Sequence, residues 1–241
     1  MKSLDSRMKG YEAASDFVLP LRLPVILRLD GRAFHSYTKG FSKPFDFRFQ
    51  MAMVRTAMSV CEEVSGAKIG YVQSDEISIL IINYESLETE AYFDNRVQKL
   101  CSLVASFASV TLDREIREIH PAPQKLPTFD CRVFIVPPSD VCNAFIWRQR
   151  DAERNSIQAY AQSFFSHEEI QGLTNNSLQD KMFKEKGFNW NDVPVMNKRG
   201  VAVIKEKYEK DGALRTRWVG DWNTPIFSQD RNYIEKFIPK D

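Results

Sequence analysis

The 241-residue chain lacks several features that mark specialised classes of protein. Its four cysteines are widely separated and form no C-x-x-C pair, which argues against a zinc site and a disulfide framework. It has no run of about 18 apolar residues, and its opening MKSLDSRMKG has no apolar core of the signal-peptide kind. We therefore expect a cytoplasmic protein with reduced thiols and no association with membranes.

The chain also has little excess charge of either sign. Lys and Arg number 33 and Asp and Glu number 32, which gives a net charge of +1. A nearly neutral chain does not bind nucleic acid over its whole surface, so any contact with RNA must come from local basic clusters. The hydrophobic content is 43%, enough for the core of one large domain or a compact pair.

The first 140 residues predict the element order strand, helix, strand, strand, helix, strand. Short β-branched and aliphatic runs bounded by glycine or proline predict strands at 24–31, 69–73, 77–82 and 131–136. One helix is predicted to start at its N-cap Asp46 and to end before Gly66. Another is predicted between Ser86 and Pro121. This order indicates an α+β protein with a ferredoxin-like βαββαβ core.

Two carboxylates are predicted to meet at one edge of this sheet. Asp30 ends the first strand, and Asp75 lies in the turn between the second and third strands. Right-handed crossovers place the third strand between the first two and antiparallel to both, so the two aspartates share an edge. With the carbonyl of Gly31 they would form a hard oxygen site suited to Mg²⁺. Two such ions could align an attacking hydroxyl and neutralise a pyrophosphate leaving group.

Residues 141–241 show a weaker pattern. It predicts helices at 151–165 and 170–186 and strands at 201–208 and 214–219. We interpret residues 1–140 as a catalytic core and residues 141–241 as an extension that completes the catalytic domain and contributes to RNA binding.

Several ordered blocks of sequence resemble the signature of the tRNA-His guanylyltransferases and their relatives. The blocks are RLDGRAFH at 28–35, FSKP at 41–44 and QSDE at 73–76, followed by WRQ at 147–149 and KRG at 198–200. An Asp-Gly pair alone would mean little, but the ordered set spans nearly the whole chain. The chain is therefore identified as a member of this superfamily, which implies a polymerase-type palm.

The resemblance also implies roles for individual residues. The catalytic groups would be Asp30, Asp75 and Glu76, although Glu76 could equally make a structural hydrogen bond at the hairpin tip. Two Mg²⁺ ions would be held by Asp30, Gly31 and Asp75. The nucleoside triphosphate would contact Asp30, Gly31, Arg32, Ala33, Phe34, His35, Lys43, Ser74 and Asp75. Basic clustering near the matching blocks predicts RNA contacts at Arg148, Arg150, Arg154, Asn155, Lys198 and Arg199, with further basic residues at Lys205, Lys207, Lys210, Arg215 and Arg217.

One motif departs from the family pattern. The eukaryotic guanylyltransferases carry His-Ile-Asn-Asn where this chain has Glu153-Arg154-Asn155-Ser156. The chain thus resembles the guanylyltransferase-like branch, which extends 5′-truncated tRNAs in the 3′–5′ direction with the opposite strand as template. The resemblance implies activation of the 5′ end by ATP or GTP, attack by the 3′-hydroxyl of the incoming nucleotide, and a homo-oligomer, typically a tetramer.

Three other functions stay open at this stage. A dedicated tRNA-His guanylyltransferase would add a single 5′ guanosine. A palm-type nucleotide cyclase would use a similar acidic sheet edge without RNA. A non-catalytic RNA-binding module is the third, because an Asp-Gly after a strand is usually a turn and an acidic hairpin tip is usually solvated.

Overall fold

The computed structural model describes residues 3–119 and 125–239, and its centre is a six-stranded sheet. The strands are β1 Val25–Gly31, β2 Ala67–Gln73, β3 Glu76–Ile81, β4 Phe129–Ile135, β5 Val201–Lys210 and β6 Ala213–Asp221. Their order is β4-β1-β3-β2-β5-β6, and every neighbouring pair is antiparallel. The first four strands confirm the ferredoxin-like prediction, with β3 between β1 and β2.

Helices surround this sheet. They are α1 Leu4–Ala13, α2 Phe34–Tyr37, α3 Phe47–Glu63, α4 Val97–Ile119, α5 Val141–Phe164, α6 His167–Ile170, α7 Asn175–Lys186, α8 Val195–Arg199 and α9 Asn232–Glu235. Short 3-10 segments lie at Tyr92–Asn95, Pro138–Asp140 and Trp190–Asp192. No helix among the described residues is both long and apolar enough to cross a membrane. The four cysteines are free thiols, two of them buried.

The central strands bury side chains on both faces of the sheet. Successive side chains of a strand point to opposite faces, so Ile77 and Ile79 of β3 join the core formed with α3 and α4, whereas Leu80 packs with Phe145 of α5. This double burial explains why β3 appears in the sequence as a continuous apolar run.

The start of α3 is held by its N-cap. As predicted, Asp46 accepts hydrogen bonds from the backbone amides of Arg48, at 2.9 Å, and Phe49, at 3.3 Å. It also accepts from the amide of Ser42 at 3.0 Å. Burial raises the pKa of Asp46, but these bonds and the Arg48 side chain outweigh it and lower the pKa to about 2. The same carboxylate therefore anchors the loop that carries Lys43.

The prediction that a long helix starts at Ser86 is wrong. Ser86 lies in a turn with Thr89, and α4 begins at Val97. Residues 93–95 have φ of 49°, 52° and 56°, which a right-handed helix does not allow. Asn95 is buried there and its side chain bonds Asn83 at 3.0 Å and the carbonyl of Pro20 at 3.2 Å, so tertiary contacts override the local pattern. Pro121, the predicted end, lies outside the described residues.

The second half of the chain completes the sheet. The helix predicted at 151–165 is the latter part of the longer α5. The helix predicted at 170–186 begins only at residue 175, as α7, and Ile170 ends the short α6. Gly172, with φ of 78°, lies in the turn between them. The strands predicted at 201–208 and 214–219 are confirmed as β5 and β6, and β5 pairs with β2. One sheet thus runs through both halves of the sequence.

Candidate active site

The β2–β3 hairpin brings the two predicted aspartates to one edge of the sheet. Asp30 pairs with Glu76 across β1 and β3, and the amide of Gly31 donates to the carbonyl of Asp75 at 3.1 Å. Ser74 has φ of 50°, in the left-handed region that serine rarely adopts. A strained residue held at a hairpin tip beside acidic groups is typical of a functional site.

The electrostatics of this edge disfavour ionisation of Asp75. Burial raises the pKa of the Asp75 carboxyl most, and the neighbouring charges of Asp30 and Glu76 raise it further, against hydrogen bonds from its own amide and from Ser74. A divalent cation would offset this repulsion, so the donor chemistry fits Mg²⁺. Within residues 3–119 and 125–239 no three His, Cys, Asp or Glu side chains gather around a cation site. A metal here would therefore need oxygen ligands from the backbone or from the substrate in addition to the two aspartates.

The turn after β1 depends on Gly31 and Ala33. A Cβ on Gly31 would lie 2.5 Å from the ring of Phe34, so only glycine fits. Ala33 has φ of 55° and folds Phe34 back into the core, where its ring lies 5.3 Å from that of Phe129. Arg32 is exposed, and its amide donates to the carbonyl of Thr128 at 2.8 Å.

A cavity of about 430 Å³ opens beside the hairpin tip. Most residues predicted to contact the nucleotide line it: Gly31, Ala33, Phe34, His35, Lys43, Ser74 and Asp75. Asp30 and Arg32 do not line it. The opposite wall comes from the second half of the chain, at Ala152, Asn155, Ser156, Ala159, Met196, Asn197 and Gly200. The volume lies within the range of small-ligand pockets.

Sequence reasoning missed two polar residues of this opposite wall, Asn197 and Ser156. The side chain of Asn197 donates to the hydroxyl of Tyr160 at 2.9 Å and accepts from Gln50 at 2.9 Å. Ser156 is buried and accepts from the indole nitrogen of Trp190 at 3.0 Å. The only available signal was adjacency, since Asn197 precedes the matching KRG block and Ser156 ends the departing motif.

The KRG block itself makes a close backbone contact with β2. A Cβ on Gly200, which has φ of 72°, would lie 2.3 Å from the carbonyl oxygen of Val72. The hydroxyl of Tyr71 donates to the carbonyl of Arg199 at 2.6 Å. Lys198 is half-buried and donates to the carbonyl of Asn191 at 2.5 Å. These contacts attach the second half of the chain to the acidic edge.

Glu76 and Arg148 form a buried ion pair under the hairpin. Arg148 donates from Nε to Oε1 of Glu76 at 2.7 Å and from Nη2 to Oε2 at 2.6 Å. Its Nη2 also donates to Asp151 at 2.7 Å, and only 9% of the residue is exposed. This arrangement is incompatible with the predicted RNA contact of Arg148, because its guanidinium is committed to two carboxylates. Both carboxylate oxygens of Glu76 accept hydrogen bonds from Arg148, which favours the structural role predicted for Glu76 over the catalytic one.

Three further predicted RNA contacts lie on the exposed side of α5, whereas Arg199 ends α8 and its Nε is buried. Arg150 is exposed, and Arg154 is exposed and forms an ion pair with Asp151. Asn155 is exposed and lines the cavity. Glu153 is half-buried, and burial raises the pKa of its carboxyl against the opposing charges of Arg199 and Arg150. The motif at 153–156 therefore lies on the cavity wall and beside it.

Comparisons of the sequence agree with the resemblance seen in its motifs. The family model for tRNAHis guanylyltransferase matches residues 5–137. The tRNA(His) guanylyltransferase of Debaryomyces hansenii is 31% identical over 231 residues, covering 88% of this chain and 84% of the relative. An uncharacterised protein of Acanthamoeba polyphaga mimivirus is 29% identical, covering 98% of this chain and 87% of the relative.

Solved structures extend the likeness over the whole chain. A bacterial tRNA(His) guanylyltransferase-like protein in complex with ATP is 47% identical with a TM-score of 0.92, covering 98% of this chain and 99% of that one. The tRNA(His) guanylyltransferase from Saccharomyces cerevisiae is 25% identical with a TM-score of 0.69, covering 81% of this chain and 92% of that one. The fold shared with these structures is the palm type, and it includes the second half of the chain.

Proposed function

Because the chain belongs to the tRNAHis guanylyltransferase family and is thus a nucleotidyltransferase, we propose that it extends 5′-truncated tRNA in the 3′–5′ direction with the opposite strand as template. The choice of this activity over the addition of a single guanosine rests on one observation. Glu153-Arg154-Asn155-Ser156 replaces the His-Ile-Asn-Asn of the eukaryotic guanylyltransferases, and Asn155 and Ser156 line the cavity beside Asp75. This position supports the proposal, because a substitution in the wall of the proposed nucleotide cavity can change which nucleotide is added.

The proposed reaction has two steps, the first at the α-phosphorus of the activating triphosphate and the second at the phosphorus of the RNA 5′ phosphate. The 5′-monophosphate of the RNA attacks a nucleoside triphosphate, ATP or GTP, and pyrophosphate leaves. The 3′-hydroxyl of the incoming nucleotide then attacks the activated 5′ phosphate, and the activating nucleotide leaves as its monophosphate. Both steps require the same geometry around a phosphate, so a single acidic pair can serve both. Base choice comes from pairing with the opposite strand.

The chain's own residues have distinct tasks in this proposal. Asp30, Asp75 and the carbonyl of Gly31 would hold two Mg²⁺ ions, which when bound offset phosphate charge and polarise the attacked phosphate. Lys43, exposed at the cavity wall, would balance the charge of the triphosphate. The backbone at Ala33 and His35 and the Ser74 hydroxyl would orient the nucleotide. The related bacterial structures hold ATP in one case and GTP in another, which supports either as the activating nucleotide.

A set of 5′-truncated tRNAs that differ only in the templating base tests the proposal. Each RNA is incubated with Mg²⁺ and one labelled triphosphate at a time, and the added nucleotide is identified. We expect complementary addition opposite each of the four bases, because a mismatch displaces the 3′-hydroxyl and slows its attack. Guanosine added opposite every base would refute the repair activity and indicate a dedicated guanylyltransferase. A cyclic product formed without RNA would indicate a nucleotide cyclase.

The assembly and its location are also proposals. We propose a cytoplasmic homo-oligomer, a tetramer of chains of 27.9 kDa each. Light scattering coupled to size-exclusion chromatography measures the mass directly, and a monomeric mass at working concentrations would contradict the proposal.

A further inference from the structure

Helix α5 presents an exposed tryptophan close to the acidic edge. Trp147 is 53% exposed, although its neighbours Phe145 and Arg148 are buried. Arg150 and Arg154 follow at steps of three and four residues, so the three side chains lie along one stripe of the helix. An exposed aromatic followed by cations at this spacing is typical of a surface that binds single-stranded nucleic acid.

Two guanidinium groups hold this indole ring. The Cζ atom of Arg148 lies 4.4 Å from the ring centroid of Trp147, and that of Arg28 lies 5.2 Å from it. Arg148 is itself fixed by its ion pair with Glu76. The Nε atom of Arg28 is buried and has no hydrogen-bond partner among the described residues. A buried donor without a partner carries an energetic cost, so this guanidinium is the less satisfied of the two.

The strand register places this surface next to Asp30. Arg28 pairs with Ser78 of β3 and with Arg132 of β4, and Asp30 pairs with Glu76. Directly paired residues share a face of the sheet, and the Glu76 side chain contacts α5. Arg28, Asp30 and Arg132 therefore lie on the α5 face. Arg132 is half exposed, and its Nη1 lies 3.6 Å from Oδ2 of Asp30.

The surface is separate from the nucleotide cavity. Trp147, Arg28 and Arg132 do not line the cavity, whereas Asp75 does. Asp30 links the two, because the amide of the next residue, Gly31, bonds the carbonyl of Asp75, and the Asp30 carboxylate contacts Arg132 on the other side. In the second proposed step the 3′-hydroxyl of a free nucleotide attacks the 5′ phosphate of the RNA, so the two substrates need adjacent sites.

We propose that Trp147 stacks on the exposed face of the 5′-terminal base during activation of the 5′ end, before an incoming nucleotide takes that face, while Arg28 and Arg132 contact the terminal phosphate; this inference rests on the proposed function. The open surface and the cations that continue along α5 suit a strand that runs on from its end, whereas the cavity suits a free nucleotide. Stacking on an aromatic side chain does not depend on base identity, so this site leaves the choice of nucleotide to the template.

The test compares Trp147→Ala, Trp147→Phe and the control Tyr11→Ala. Tyr11 is an exposed aromatic on α1, 72% exposed. Extension is measured while the tRNA and the triphosphate are varied separately. We expect Trp147→Ala to raise the KM for tRNA about 10- to 100-fold and to leave the KM for the triphosphate nearly unchanged. Trp147→Phe should recover most of the loss, and the control should behave as the unsubstituted enzyme.

A tRNA whose 5′-terminal nucleotide is abasic identifies the stacked base. The unsubstituted enzyme and Trp147→Ala should bind this RNA equally, because no base is present to stack. An unchanged KM for tRNA in Trp147→Ala would overturn the inference, and an equal rise in the KM for the triphosphate would assign the indole to the free nucleotide. If the unsubstituted enzyme adds no nucleotide, the proposed function fails. Quenching of indole fluorescence by a 5′-monophosphorylated RNA, lost in Trp147→Phe, would still support the stacking site.

Discussion

At the scale of single residues, the ionised carboxyl of Asp75 lowers the stability of the candidate site. Its carboxyl has a raised pKa because it is buried and lies near Asp30 and Glu76. A carboxyl whose pKa is raised on folding contributes stability at low pH, and this contribution is lost as the pH rises through the folded-state pKa. At neutral pH the ionised Asp75 therefore destabilises the metal-free protein.

Asp75→Asn should abolish nucleotide addition and raise the melting temperature of the metal-free protein at pH 7. The gain should shrink as the pH is lowered, because the unsubstituted carboxyl then becomes neutral. Calorimetry in EDTA between pH 4 and pH 8 measures this, with Asp192→Asn as an exposed control. A melting temperature that falls at every pH would contradict the electrostatic argument.

Asp30→Ala and Asp75→Ala should each remove activity while the fold stays intact. Both side chains lie at a sheet edge, so their loss leaves no cavity in the core. Circular dichroism establishes folding and the extension assay measures activity. Near-normal addition by either folded variant would exclude the proposed metal site.

The buried ion pair between Glu76 and Arg148 predicts that variants of either residue lose stability. Removing one partner of a buried pair leaves an uncompensated charge or donor, which costs about 3–5 kcal/mol. Glu76→Gln and Arg148→Met should each lower the free energy of unfolding by such an amount in urea titrations. The double variant should recover part of the loss, because neither group is then left unpaired. Glu76→Gln that is fully stable but inactive would instead support a catalytic role for Glu76.

The β5–β6 hairpin extends beyond the part of the sheet that β2 pairs with. The register with β2 ends at Val203, and beyond it the two strands pair only with each other within the described residues. Nearly every residue from 205 to 217 is exposed. Arg217 pairs with Glu206 at 2.8 Å and lies 5.0 Å from the ring centre of Tyr208. The ribbon is thus stabilised by its own cross-strand pairs.

Neutralising the hairpin should weaken RNA binding without unfolding the protein. Three of its cations form neither an ion pair nor a contact with an aromatic ring in the described part of the chain: Lys207, Lys210 and Arg215. Replacing all three by Gln should lower tRNA affinity and reduce its salt dependence by about one unit of log–log slope per lost phosphate contact. A matched control replaces three exposed cations elsewhere: Arg7, Lys9 and Arg114. If the salt dependence of tRNA affinity is the same in both variants, the RNA binds to another surface.

At the scale of the whole molecule, neither half of the chain holds a complete site. The cavity takes one wall from each half, and β5 of the second half pairs with β2 of the first. Helix α5 also covers Leu80 of β3. The boundary expected near residue 140 therefore separates two parts of the sequence that share a sheet and a core.

We accordingly predict one cooperative unfolding transition. All four tryptophans lie in the second half, at 147, 190, 218 and 222, so indole fluorescence reports on that half while far-UV circular dichroism reports on both. The two signals should give the same midpoint in urea. A fragment of residues 1–140 should be unfolded, because the face of β3 that α5 covers would be exposed. Two separate midpoints, or a folded fragment, would show that the halves are independent domains.

Much of the first half could be predicted because its signals are local or topological. The N-cap at Asp46, the four apolar runs and the hairpin at Asp75 each depend on neighbours within a few residues. The handedness of crossovers then placed Asp30 beside Asp75 without any side-chain information. The segment before Val97 could not be predicted in this way, because Asn95 adopts its conformation for partners at Asn83 and Pro20.

The amino-acid sequence by itself determined the order of the core strands, the acidic edge, and, through ordered motif blocks, the family. Only the tertiary structure decided that Arg148 is buried against Glu76, that Ser156 and Asn197 line the cavity beside Asp75, and that β5 joins β2. The physical reason is distance along the chain. Periodicity and capping reflect contacts within one or two turns, whereas burial and pairing depend on residues that only folding brings together.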